Sequence, residues 1–360
     1  MDEKFRDYVM KVIEDSGIEV ANEQNITDLA TESVDKFVDQ MGKSVAGHAL
    51  QNGRTFRANQ RVERGFNKRL HRRYRPAFKA YIVTSSCARE AGEAVAAKER
   101  TSLNDHQSAT FTALVWLHAK ACRVAGEVYA LLTNGFPEGA LARCRTLHEM
   151  AVVAAAIADC VGDPDNEDLA IRYLDHAVVD QWRSAQQYQD AYQTLGMEPL
   201  EQEFLDKVEN RFNAVIAKYG TDFKGAYGWA KRYCPNAKFE GLETKVQMNH
   251  MRGYYKWASN EVHAGSRSLI LNVTEFRGED ILRAGKTNVG LTDPASMALT
   301  SLYQVTVMLL TEGLPDSVDI AEVVTMKALD EMCTRTSEMF LEIDSRIMKD
   351  EEEFLRSVNL

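Results

Sequence analysis

Tyr255, Ser259 and His263 recur at intervals of four in the segment YKWASNEVHAG. In an α-helix, positions four apart share a face and drift by about 40° per step. Two hydroxyls and an imidazole therefore line one stripe. Arg145 and Glu149, again four apart in RCRTLHEM, put a guanidinium and a carboxylate on a second helix. Trp257, Ala258 and Val262 make the first helix partly apolar. Its polar side chains should then be partly buried, and buried polar groups need partners.

Two chemistries suit these residues. In the structural one, Arg145 pairs with Glu149, and His263 bonds Glu149 with Ser259 or Tyr255 completing the set. Such a network fixes how two helices cross. His263 stands near a helix C-terminus, where the macrodipole favours the charged imidazole. In the catalytic one, metal-independent RNA cleavage needs a base for the 2′-hydroxyl proton and a cation for the charge growing on phosphate. Arg143 with His148, or Arg145 with His263, could supply both. Arg143 and His148 are five apart, about 140° around the helix. They could meet only across a shared groove, most easily in a dimer.

Arg172, His176, Asp180 and Arg183, spaced at 4, 4 and 3, form a second polar face. A solvated charged stripe is the plain reading of it. No HExxH or paired ExxH motif accompanies it, so no metal is expected. GxGxxG, Walker A, GxSxG and deaminase motifs are also absent, and no cofactor is expected.

Net charge is −10 but unevenly spread. Residues 54–79 hold Arg54, Arg57, Arg61, Arg64, Lys68, Arg69, Arg72, Arg73, Arg75 and Lys79 against one acid, Glu63. That segment is +9 and the remainder −19. Phe56, Phe66 and Tyr74 are interleaved with the cations, the composition of a phosphate-binding surface with stacking residues. Self-association with the acidic body and a merely solvated helix are the alternatives.

The elements that must position these groups read as helices. Only seven prolines occur. Two helices are expected over 2–50, split near Ser16-Gly17. The basic segment follows, with Pro76 inside it, then helices over 77–98, 104–134, 137–161, 166–194 and 199–219. Residues 220–240 read as an ordered glycine- and aromatic-rich loop, and 241–263 as one helix. A small β-hairpin is expected near residues 268–291, before closing helices at 293–312 and 316–357. The fold class is all-α, a multi-helix bundle with that hairpin inserted. Residues 1–100 are expected to be a helical appendage and 101–360 the main domain. Six cysteines without a CxxC pair suggest free thiols in a reducing cytoplasm. Neither a signal peptide nor a membrane span is expected.

The order Arg145 to Glu149, Tyr173 to Trp182, Trp229-Ala230, then Tyr255/Ser259/His263 resembles the bacterial helical family DUF5677, over roughly 105–315. That resemblance implies an all-helical domain and no established activity. More loosely, Arg143-x4-His148 is similar to the Arg-x4–6-His hallmark of HEPN ribonucleases, many of them toxins or anti-phage factors. Cys144 stands where those enzymes usually carry a polar residue. The function expected is an HEPN-like, nucleic-acid-directed effector, an RNase in a toxin or anti-phage system, acting on RNA as a homo-oligomer. A non-catalytic helical interaction or scaffold protein is the alternative.

Overall fold

The computed structural model describes residues 7–8, 11, 23–98, 103–263, 266–271, 273–276, 279–311 and 319–358. It forms two compact units, 1–68 and 69–360. The first helix expected over 2–50 lies mostly outside the described residues.

Among the described residues the elements are α1 (Glu23–Gln51), α2 (Gly53–Ala96), α3 (Asp105–Thr133), α4 (Pro137–Asp159), α5 (Leu169–Asp175), α6 (Ala177–Ala191), α7 (Gln202–Tyr219), α8 (Phe239–Lys245), α9 (Arg252–Val262), α10 (Ser266–Leu271), β1 (Val273–Phe276), β2 (Glu279–Leu282), α11 (Thr292–Thr311) and α12 (Ile320–Val358). The architecture is all-α.

α4 is the centre of the larger unit and packs against α3, α9 and α11. Ala140, Ala151, Ala154 and Ala156 are wholly buried on it, so neighbouring helices approach closely from several sides. α3 opens on a capping box: Gln107 N–H donates to Asn104 Oδ1 at 2.9 Å, and Asn104 N–H donates to Gln107 Oε1 at 3.2 Å. Pro137 opens α4 in its first turn, where the missing N–H costs nothing.

α2 runs through Pro76 without a break. Proline removes one hydrogen bond to the carbonyl four residues earlier. Packing holds the helix instead. From Leu70 on, Tyr74, Ala77, Phe78, Tyr81, Thr84 and Ala88 are buried at helical spacing, and Tyr81 donates to the Ala125 carbonyl at 3.0 Å. Gly92 is required where α2 meets His118 of α3. A Cβ there would stand 2.2 Å from the imidazole Cε1.

Three expectations change. The helix over 166–194 is interrupted at His176, which caps α5 and precedes α6. The helix over 241–263 is two helices, α8 and α9, joined by a 3-10 turn at Asn249–Met251. Gln247, with φ of 58°, helps turn the chain between them. A hairpin filling 268–291 is not what that stretch holds. Ser266–Leu271 is helical and 283–291 is irregular, which leaves two four-residue segments, β1 and β2, pairing antiparallel with Val273 opposite Leu282.

Candidate functional site

Arg145, Glu149 and Tyr255 meet where α9 crosses α4. Arg145 Nε–H is shared between Glu149 Oε1 and Tyr255 OH, both at 3.1 Å, and Tyr255 OH donates to the same Glu149 Oε1 at 2.8 Å. Burial, then the Glu149 hydrogen bond and charge, push the Tyr255 phenol well above its usual range, so it stays a donor. Ser259 stands outside the network, its hydroxyl donating to the Tyr255 carbonyl at 2.8 Å.

His263 is not on the helical stripe. It caps α9 with extended backbone and is exposed. Its Nε2 lies 3.3 Å from Arg145 Nη1 and does not meet Glu149. A guanidinium can only donate. Nε2 is therefore the acceptor, which the charged imidazole expected from the helix terminus could not provide.

Arg143 and His148 are not brought together. Arg143 Nε–H donates to Glu127 Oε2 on α3 at 2.8 Å, and its Nη1 reaches Thr146 Oγ1 at 3.3 Å. His148 points to the other side of α4 and is 0% exposed. Its Nε2 is 2.9 Å from Glu243 Oε1 on α8. The other Glu243 oxygen receives Arg252, which also reaches Glu240 at 3.2 Å. Burial pushes the His148 imidazole down, against the pull of Glu243. Its buried Nδ1 has no hydrogen-bond partner. The neutral ring, donating from Nε2, leaves only a bare acceptor unpaired; a charged ring would strand an N–H donor. His148 has no face to offer a second copy of the chain, which removes the geometric reason for a shared groove. Glu243 and Arg252 escaped sequence reading because nothing in their spacing points at His148.

Tyr255 joins the two sets. The Arg145 guanidinium lies 5.0 Å from its ring centroid and that of Arg252 5.4 Å. Phe239 packs on the same ring at 4.6 Å, and His148 lies 5.9 Å away.

The second polar face is not a solvated stripe. Arg172 donates to the Trp229 carbonyl at 3.0 Å, His176 to the Gly225 carbonyl at 2.9 Å, and Arg183 to the Lys224 carbonyl. Asp180 faces both His176, at 3.8 Å, and Arg183, at 3.5 Å. Together they clamp the loop that carries the 3-10 turns Thr221–Lys224 and Gly228–Ala230. Gly228 is obligatory in it, because a Cβ would stand 2.4 Å from the Phe223 carbonyl oxygen.

The clamped loop, α3, α4 and the α5–α6 corner enclose a cleft of about 670 Å³. Trp116, Tyr173, Tyr227, Trp229 and Phe239 give it aromatic walls, while Thr146, Glu149, Lys120, Asp175, His176 and Asp180 bring polar groups. Burial, then the Glu149 charge, raise the Tyr227 phenol. The i, i+4 pair Trp116/Lys120 was the signal in the sequence that could have found this rim. Among the described residues no three His, Cys, Asp or Glu side chains converge as metal ligands would.

The basic residues of α2 are all exposed. In the first unit Arg54, Arg57, Arg61, Arg64 and Lys68 step by 3, 4, 3 and 4, so they share one helical stripe. In the second unit Arg72, Arg75 and Lys79 continue that spacing, while Arg69 and Arg73 turn aside, Arg73 lying 3.8 Å from Asp350.

Residues 111–280 match the family model DUF5677, described as a family of unknown function. This stretch of the chain is a DUF5677 domain. No curated protein and no solved structure matches the chain. The DUF5677 segment contains the Arg145–Glu149–Tyr255 network, the His148–Glu243–Arg252 set, the loop clamp and every residue lining the cleft. The basic residues of α2 lie before it. Among the described residues no helix is long and apolar enough to cross a membrane.

Proposed function

We propose that the chain is a nucleic-acid-directed effector of the reducing cytoplasm, in which α2 holds the phosphate backbone and Arg145 with His263 acts on a phosphodiester. The 3.3 Å approach of Arg145 Nη1 to an exposed, accepting His263 Nε2 carries the reading. It is the one pairing of a base with a cation, among the two expected, that reaches solvent. A substrate phosphate would draw the guanidinium toward itself. Nε2 would then be free to take the 2′-hydroxyl proton, and Arg145 would offset charge growing on the phosphate oxygens. The stepped cations on α2 supply a sequence-independent hold on RNA. The six free thiols suit the reducing setting.

The second reading, a non-catalytic interaction protein, is favoured by the sharing of Arg145 and Tyr255 donors on a single Glu149 oxygen, an arrangement that ties α4 to α9. Purified wild type, His263→Ala and Tyr255→Phe, incubated with RNA and melted in parallel, separate the two. An effector cleaves RNA, and His263→Ala keeps the melting temperature while abolishing cleavage, since His263 leaves no buried group unpaired. RNA left intact by the wild type overturns the catalytic reading. Tyr255→Phe tests the network alone: losing its hydrogen bond should cost about 1 kcal/mol of stability.

A further inference from the structure

The cleft between α3, α4 and the clamped loop shares Glu149 with the Arg145 network, and its walls have a chemistry of their own. Trp116 is 64% exposed and forms the rim. Tyr227 and Phe239 stand within 6.4 Å of each other along the loop side. The cleft volume falls in the usual range for a bound small molecule, about 300–1,000 Å³. Flat aromatic walls select a planar ligand.

The polar groups narrow the choice. Both protein donors to Glu149 use Oε1, so Oε2 keeps its acceptor capacity. Three residues earlier on the same helix, Thr146 Oγ1 accepts from Arg143 at 3.3 Å, and no acceptor among the described residues takes its own hydroxyl proton. An acceptor and a donor thus stand side by side on α4, facing the cleft. Arg145 already offsets the Glu149 charge, so the site is a hydrogen-bonding edge rather than a well for a cation. The other carboxylates of the lining already have partners, Asp175 in Lys218 and Tyr219, and Asp180 in His176 and Arg183. Lys120, one turn from Trp116 on the rim, would repel a cation and attract an anionic tail.

A planar ring with an amino donor beside a ring-nitrogen acceptor, joined to an anion, matches all of these. Adenine has that edge. Guanine offers the same pairing with N1–H beside O6, as do cytosine and uracil on their Watson–Crick edges, so this edge admits any base. We propose that the cleft binds a nucleotide, free or within RNA, with the base against Trp116, its donor–acceptor edge on Glu149 and Thr146, and its phosphate toward Lys120.

The test is titration of the full chain with AMP, adenosine and GMP, followed by calorimetry and tryptophan fluorescence. AMP and GMP should both bind saturably, with adenosine weaker than AMP by about tenfold or more. Trp116→Ala and Thr146→Val should each weaken AMP by about tenfold, within the range of a lost base stack or a lost hydrogen bond. Lys120→Ala should bring AMP down to adenosine. Trp116 and Lys120 are exposed, so these variants leave the core intact. A short oligoadenylate that displaces AMP identifies RNA as the source of the base; one that leaves AMP bound identifies the free nucleotide. No saturable binding of AMP or adenosine at millimolar concentration overturns the proposal. So does AMP binding that Trp116→Ala and Thr146→Val leave unchanged. RNA cleavage by an enzyme that fails to bind AMP would overturn the cleft alone.

Discussion

His148 Nε2 and Glu243 Oε1 lie 2.9 Å apart, and both side chains are almost wholly shut off from solvent. Glu243 is the hub, because Arg252 bonds its other oxygen. Glu243→Ala would leave a buried imidazole without its acceptor and a half-buried guanidinium with Glu240 alone. Breaking such a pair costs about 3–5 kcal/mol. His148→Ala leaves Glu243 still bonded to Arg252 and should cost less. Urea denaturation of the two variants checks the order; equal losses would show that Glu243 is not shared.

A second buried imidazole sets an acid limit. Burial pushes His118 down to about 4, against the pull of the Ala88 carbonyl and of Glu93. Its ordinary value is about 6.5, which the unfolded chain keeps. The unfolded state therefore takes up the proton first as pH falls. The His118 contribution is fully present above about pH 6.5 and is lost as pH drops toward 4, by at most about 3 kcal/mol. Folding stability measured from pH 7 to 4 should fall more steeply for wild type than for His118→Gln. Parallel curves would mean that His118 titrates alike in both states.

The same imidazole constrains α2. Gly92→Ala would drive a methyl into the ring, at 2.2 Å from Cε1. Overpacking of this kind costs about 1–3 kcal/mol. His118 is also held by Thr306 Oγ1 at 3.2 Å, so the ring cannot simply move away. Adding His118→Ala to Gly92→Ala should recover part of the loss, and the melting temperatures of the four-member set read the coupling.

The loop clamp gives a local prediction. His176→Ala or Arg172→Ala frees the carbonyl of Gly225 or Trp229, and amide exchange over residues 221–230 should quicken while the α3–α4 core keeps its protection. Unchanged exchange in the loop would show that its aromatic packing, such as Tyr173 on Trp229 at 5.0 Å, suffices to hold it.

The helical spacing of Arg145 with Glu149 was visible in the chain, and so was Tyr255 as their neighbour, because local periodicity projects such groups onto one face. The end of the stripe was not. His263 sits at the cap, where backbone angles leave the helix and rotate the side chain toward Arg145. His148 looked like a base waiting for Arg143, yet its partner is 95 residues on. A long-range pair of this kind leaves no spacing to read. The sequence places Pro76 inside the basic segment and begins a helix only at 77; α2 passes through Pro76 because Tyr74, Ala77 and Phe78 bury the neighbouring turns. The polar face of α5 and α6 looked like a solvated surface because its acceptors are backbone carbonyls, which no sequence pattern displays.

The Tyr255 ring, flanked by guanidiniums at 5.0 and 5.4 Å, gives the α4–α9 seam an unusual economy of parts. Arg145 belongs to the outer cluster and Arg252 to the inner one, and both draw on the electron-rich faces of one phenol. The seam has no insulating layer between its wet edge and its dry interior. An anion arriving at the edge and pulling on Arg145 would be felt, through a single aromatic ring, by a carboxylate that never meets water.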